Sequence, residues 1–154
     1  PRLTPGLGPY ALCKLLAEAM VRRHSRAPLI IRPAAMLGPH SRENSLIRLV
    51  RDRAAALTLS GDSSMNYVLH RDVRRFIEEA LRQELVGAYN LASSTNITLQ
   101  QAAELVGADQ ATFGRHRYHA GRIDNHKAAA VLPALDKTSA EVIQAFIAEQ
   151  EESG

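Results

Sequence analysis

Ala27-Pro-Leu-Ile-Ile-Arg-Pro33 is the stretch on which the fold of this chain turns. Leu29-Ile-Ile31 is short, continuously apolar and bracketed by Pro28 and Pro33. A strand with one wet face alternates apolar and polar residues; a strand covered on both faces does not. The run therefore reads as a strand inside a parallel sheet. Before it, Tyr10 to Ser25 has helical spacing, with Leu12, Leu15, Leu16, Ala19 and Met20 recurring at 3.6 residues. Pro9 suits a helix first turn. Arg22, Arg23 and His24 suit the last turn, where the helix dipole favours cations. A helix running through a short break into a buried strand is the building unit of an α/β fold.

The same alternation continues towards the C-terminus. Ser45 to Ala56 reads as a second helix, with Leu46, Ile47, Leu49 and Val50 on its apolar side. Leu57-Thr-Leu59 and Tyr67-Val-Leu69 have the pattern of short strands. Asp72 to Leu85 is a third helix, carrying Val73, Phe76, Ile77, Ala80 and Leu81. Ala88-Tyr-Asn-Leu-Ala92 follows Gly87 as a strand. Thr98 and Gln101 have capping-box spacing for a helix that ends at Gly107. Residues 108–122 are polar and irregular, with one strand expected near Phe113 to Tyr118. Asp124 is expected to cap a short helix to about Val131, and Ser139 starts a last helix to about Glu149. Glu151-Glu-Ser-Gly154 reads as a frayed end.

At 154 residues and 45% hydrophobic content the chain has the size of one domain with an ordinary core. No apolar run approaches the length needed to cross a bilayer. Pro1 to Pro9 is a Pro/Gly segment without a signal-peptide pattern, and it reads as a loop cut open. The single cysteine, Cys13, forbids an internal disulfide and points to a reducing cytoplasm. The net charge of +3 comes from 19 basic and 16 acidic residues that are interspersed. That scatter describes solvated helix faces, not a nucleic-acid surface. His116, His119 and His126 have a metal-like spacing but lack a cysteine or an obvious acidic third ligand, so no metal is expected.

Chemistry concentrates in Tyr10-Ala-Leu-Cys-Lys14. Positions i and i+4 share one helix face about 5–6 Å apart. A free phenol ionises near pH 10 and is a poor base at neutral pH. A neighbouring ammonium favours the phenolate, and a phenol so placed can exchange a proton with a carbinol oxygen. The spacing alone is common; its context is not. In order follow Arg32-Pro-Ala-Ala-Met-Leu-Gly-Pro39, Gly61-Asp62 with Tyr67-Val-Leu-His-Arg-Asp72-Val73, Gly87-Ala-Tyr-Asn-Leu-Ala-Ser93 with Ile97-Thr-Leu, and Arg122-Ile-Asp124-Asn-His-Lys127-Ala.

These five pieces, in this order, resemble the C-terminal half of the extended short-chain dehydrogenase/reductases. The group they resemble most is the NAD-dependent epimerases and dehydratases acting on nucleotide sugars. The resemblance implies the C-terminal part of a Rossmann-type parallel sheet domain plus a small α/β substrate-binding subdomain. Residues 1–40 would end the dinucleotide-binding domain, and 41–154 would be mainly the substrate subdomain, with 87–93 returning to the main sheet. It implies Tyr10 as catalytic acid/base and Lys14 as the ligand of the nicotinamide ribose. Pro33, Ala34, Ala35 and Met36 would lie against the nicotinamide of NAD or NADP. Asn44, Met65 and Arg122 would face the substrate. It further implies a homodimer formed through the Tyr10 to Ser25 helix.

Departures accompany the likeness. Met65 falls where many sugar-nucleotide members carry an arginine on the diphosphate, and a thioether cannot make that fork. Arg115, Arg117 or Arg122 would have to serve, or the substrate is a non-nucleotide carbonyl reduced with NADP. The first of the family's paired acids is Arg71 here. The Gly-rich phosphate turn is nowhere in the sequence; Gly6-Leu-Gly8-Pro9 lacks the N–H groups and the preceding strand such a turn needs. The N-terminal dinucleotide-binding half is thus expected to be missing. The isolated chain is expected to be inactive and to need that half, or a second copy, against its sheet. A non-catalytic scaffold is the other reading.

Overall fold

The computed structural model of the chain describes residues 8–152. The opened loop expected over Pro1 to Pro9 lies outside the described residues as far as Leu7, and Pro9 is already helical; of the frayed end expected over Glu151 to Gly154, Glu151 and Glu152 are helical, and Ser153 and Gly154 lie outside the described residues. Helix α1 (Pro9–His24) leads into β1 (Leu29–Pro33) and β2 (Ala35–Leu37). Then come α2 (Ser45–Arg51), β3 (Ser64–Met65), β4 (Tyr67–Leu69), α3 (His70–Arg82) and β5 (Gly87–Leu91). The remainder is β6 (Ile97–Thr98), α4 (Leu99–Leu105), α5 (His126–Ala129), a 3₁₀ turn (Pro133–Leu135) and α6 (Ser139–Glu152). The fold is α/β.

The apolar run does form a parallel strand. β1 pairs with β5, Ile30 opposite Ala88 and Arg32 opposite Asn90. β2 pairs in parallel with β4, and β3 with β6 antiparallel. The first two ladders meet at Ala34. Its N–H donates to Leu91 O at 2.9 Å, while the next N–H, on Ala35, donates to Asn66 O at 3.2 Å. The chain leaves one ladder and enters another within a single residue.

Two apolar cores flank this crossing. One gathers Leu37, Leu46, Leu49, Leu69, Leu99 and Ile143, all withdrawn from water, between β2, β4, α2, α4 and α6. Burying each such side chain stabilises the fold by roughly 1.5–3 kcal/mol. The other joins Val68, Phe76, Tyr89, Leu91 and Leu135, with the Phe76 and Tyr89 ring centroids 5.2 Å apart. Strand β4 serves both: Tyr67 and Leu69 face the first core and Val68 the second, as period-2 alternation requires. β1 is covered less fully. Leu29 and Ile31 pack on the second core but stay half-buried, and among the described residues β1 has one strand neighbour. On α3, Phe76 and Ala80 are buried, whereas Ile77 and Leu81 of the expected apolar face remain exposed.

Several boundaries differ from the sequence reading. Thr98 and Gln101 form the expected capping box on α4. Helix α2 stops at Arg51, where the Asp52 carboxylate accepts the Ala54 N–H at 2.9 Å and turns the chain. Helix α3 begins two residues earlier than expected, at His70. Asn125, not Asp124, occupies the N-cap of α5, although Asp124 accepts the His126 N–H at 3.0 Å. Neither Leu57 to Leu59 nor Phe113 to Tyr118 is a strand. The two segments instead bind each other through Leu57 N–H to Thr112 O (2.9 Å), Gly114 N–H to Leu59 O (3.0 Å) and Ser60 N–H to His116 O (2.7 Å). The approach is too close for a regular ladder. A Cβ on Gly114 would lie 2.2 Å from Thr58 O, so only glycine fits there.

Candidate functional site

Helix α1 lies over β1, and a groove of about 450 Å³ separates them. Tyr10, Lys14, Ala17, Glu18 and Val21 form its helical wall, and the length of β1 its floor. The helix earns no purchase from a buried side chain: none of its described residues is buried. Among the described residues, the side-chain hydrogen bonds that tie it to β1 are those of one ion pair. Arg32 Nε donates to Glu18 Oε1 at 2.8 Å and Nη2 to Oε2 at 2.5 Å. A planar guanidinium matches a carboxylate in this two-pronged manner. The hydrogen bonds from Arg32 hold the Glu18 carboxyl below its ordinary 4.5, against the opposing effect of partial burial.

Tyr10 and Lys14 stand on the first turns of α1, both exposed, with Tyr10 at 77%. The Lys14 ammonium lies 5.5 Å from the centroid of the Tyr10 ring. The i,i+4 spacing thus brings the two heads together, as helix geometry demands. Pro33, the last residue of β1, opens into the same groove. Parallel sheets bind ligands beyond the C-terminal ends of their strands, and the Tyr10 and Pro33 end of the groove is that end of β1. A phenol and an ammonium on the wall above a proline ring on the floor suit a small molecule with an oxygen to protonate and hydroxyls to hold.

The other expected residues are dispersed. Ala34 packs on the second core and Ala35 on the first. Met36 faces His70, Val73 and Ile77 of α3 instead of the groove. Asn44 caps α2, its Oδ1 accepting from Leu46 N–H at 3.0 Å and Ile47 N–H at 3.1 Å. Met65 stands opposite Ile97 and packs on the first core. Arg122 lines a separate cavity with Asp124, Asn125 and His126. Of the alternative arginines, Arg117 is paired with Asp62 and Arg115 is exposed. The residue that sequence reasoning missed as part of the groove is Arg32. Its pairing with Glu18 spans fourteen positions, and no local pattern announces it.

No family model matches this sequence, and no curated protein matches it. Solved structures do. TunA, described as an NAD-dependent NDP-hexosamine 5,6-dehydratase involved in tunicamycin biosynthesis, is 17% identical with a TM-score of 0.76, over 97% of this chain and 55% of that one. MoeE5 in complex with UDP-glucose and NAD is 18% identical with a TM-score of 0.73, over 99% of this chain and 58% of that one. RMD from Pseudomonas aeruginosa, complexed with NADPH, is 17% identical with a TM-score of 0.71, over 99% of this chain and 59% of that one. At such identities the likeness is one of fold. The chain spans between half and three fifths of the length of these structures.

Proposed function

We propose that this chain is the C-terminal part of an extended short-chain dehydrogenase/reductase, an NAD(P)-dependent epimerase or dehydratase of nucleotide sugars when intact. The observation that carries the reading is the convergence of Tyr10, Lys14 and Pro33 on one groove at the C-terminal end of a parallel strand. The fold likeness to enzymes described with NAD, NADPH and UDP-glucose supports it. The exposed phenol and ammonium fit the nicotinamide and ribose end of such a cofactor. The cofactor, when bound, supplies or accepts the hydride. Tyr10 holds the proton at the substrate's oxygen, giving it up as that oxygen becomes a hydroxyl and taking it back in reverse. Lys14 holds the ribose hydroxyls, and Pro33 bounds the ring's edge of the groove.

The phosphate cradle would come from the further polypeptide that the solved structures possess. The free edge of β1 supports this reading. On the other side of the sheet, Lys127 Nζ reaches the β5 backbone, donating to Ala88 O at 3.3 Å. An exposed strand edge invites another strand, and among the described residues no strand lies on the β1 edge away from β5. Leu12, Leu16 and Met20, exposed along α1, form a second apolar stripe suited to a homodimer.

Tyr10→Phe in the intact enzyme tests the chemistry: turnover falls by at least about a thousandfold while the cofactor still binds. Retained turnover sinks the assignment. Met65, seated against the core and unable to grip a diphosphate, favours one variant of this reading, a reductase of a non-nucleotide carbonyl. Comparing UDP-sugars with simple ketones as substrates separates the two. Titrating NADH and NADPH onto the intact protein separates both from a scaffold, since a protein that binds neither cofactor contradicts the enzyme reading.

A further inference from the structure

Tyr10, Lys14 and Glu18 follow one another at four-residue steps and form one row along the helical wall of the groove. A carboxylate one turn from a lysine is that lysine's natural counter-ion. Here Glu18 is otherwise engaged. Arg32 Nε donates to one of its oxygens at 2.8 Å and Nη2 to the other at 2.5 Å, so both are taken. The pair is partly sheltered, with 33% of the Arg32 side chain and 18% of the Glu18 side chain exposed. Among the described residues, the cations acting on the Glu18 carboxyl are Arg32, chiefly through its hydrogen bonds, and more weakly Arg22.

The fork is set from the strand side. Arg32 stands in the β1 ladder opposite Asn90, one residue before Pro33, so the sheet and not α1 fixes its backbone. A planar guanidinium occupies two carboxylate oxygens in one geometry, which an ammonium cannot do. The Lys14 ammonium, exposed and 5.5 Å from the Tyr10 ring centroid, is on the same wall.

We propose that Arg32 is a positioning residue: by occupying Glu18 it stops Glu18 from pairing with Lys14 and leaves the Lys14 ammonium for whatever enters the groove. The ion pair then does two separable things. It ties α1 to β1, and it decides which charge Lys14 meets one turn along the helix. Without Arg32, a bare carboxylate stands there, partly sheltered from the water that would screen it. That carboxylate competes with ribose hydroxyls for the ammonium. Where the cofactor is concerned the proposal rests on the reading of Lys14 given above; where the ammonium alone is concerned it does not.

Arg32→Gln and the double substitution Glu18→Gln/Arg32→Gln, made in the intact protein, separate the two roles. Both lack the tie, but only the first carries the bare carboxylate. The readout that needs no cofactor is the rate of lysine acetylation, followed by mass spectrometry with Lys127 and Lys137 as internal references. Arg32→Gln should slow acetylation of Lys14 by about two- to fivefold, the range of a partly exposed ion pair, and the double substitution should restore it. NADH or NADPH should bind Arg32→Gln more weakly by a similar factor and regain its affinity in the double substitution. Amide exchange in α1 should meanwhile be faster than in the unaltered protein, and equally so, in both variants. An unchanged Lys14 in Arg32→Gln overturns the proposal. So does a double variant no better than the single one, which would make the pair a tie and nothing more. A protein that binds neither cofactor yet shows the acetylation pattern sinks the dehydrogenase reading of the groove and upholds the positioning of Lys14 by Arg32.

Discussion

Glu18 and Arg32 face each other across fourteen residues and close two hydrogen bonds at 2.8 and 2.5 Å. They are the fastening between a helix with no buried residue and the strand beneath it. The groove that brings Tyr10, Lys14 and Pro33 together therefore depends on a partly exposed ion pair.

Arg32→Ala should release α1 while leaving both cores intact. Partly exposed pairs contribute little, here about 1 kcal/mol after solvent screening. The effect should be local: roughly fivefold faster amide exchange in α1, with the global unfolding midpoint nearly unchanged. A uniform loss across the chain contradicts this role for the pair.

The same pair gives a pH dependence. The Glu18 carboxyl titrates below its ordinary 4.5 in the folded chain. Its contribution is complete above that ordinary value and is lost as pH falls through the lowered one. Exchange protection of α1 should hold at pH 7 and pH 5 and decline in the acid range below. In Arg32→Ala that acid decline should be much flatter.

Gly114→Ala should destabilise the chain strongly, since its Cβ would fall 2.2 Å from the backbone oxygen of Thr58. Backbone must move, at about 1–3 kcal/mol or more, which lowers Tm by roughly 4–12 °C at this size. Gly121→Ala, with nothing within 4 Å, is the control and should stay near neutral. Equal melting of the two variants would show that the close pass is not tight.

Asn66 and Tyr67, adjacent in sequence, should respond oppositely. Buried Asn66 donates to Ser93 O (3.1 Å) and Asn96 Oδ1 (2.9 Å) and accepts the Ser93 N–H (3.0 Å). Asn66→Ala should cost about 2–4 kcal/mol in urea unfolding, because the Ser93 amide is left unpaired. The Tyr67 hydroxyl is buried without a partner, and burial pushes its ionisation well above the ordinary 10.0. Tyr67→Phe should therefore be neutral or stabilising by up to about 1 kcal/mol. A large loss on that substitution would reveal a partner for the hydroxyl.

What the sequence disclosed follows the range of the forces involved. The apolar run at Leu29 to Ile31, the Thr98 and Gln101 cap and the Tyr10/Lys14 spacing are local, and each stands where periodicity put it. The pairing of residues 55–60 with 112–116 was illegible because two irregular backbones bind each other across fifty positions, around a glycine whose packing partner no pattern reveals. Asn44 shows the ambiguity of polar residues: an asparagine before a helix serves as a cap as readily as a ligand. In the sequence Arg32 is only the first residue of the Arg32 to Pro39 stretch. Only the crossing of α1 over β1 made it the counter-ion of Glu18.

Ala34 has one more implication. With its own amide on Leu91 and the next on Asn66, strands β1 and β2 share a single phase. A slip of one residue in either ladder reverses which side chains face inward, and with no slack between them the error passes to the other. Ala34 works as a ruler joint: both ladders must be set to the same notch, or neither is set at all.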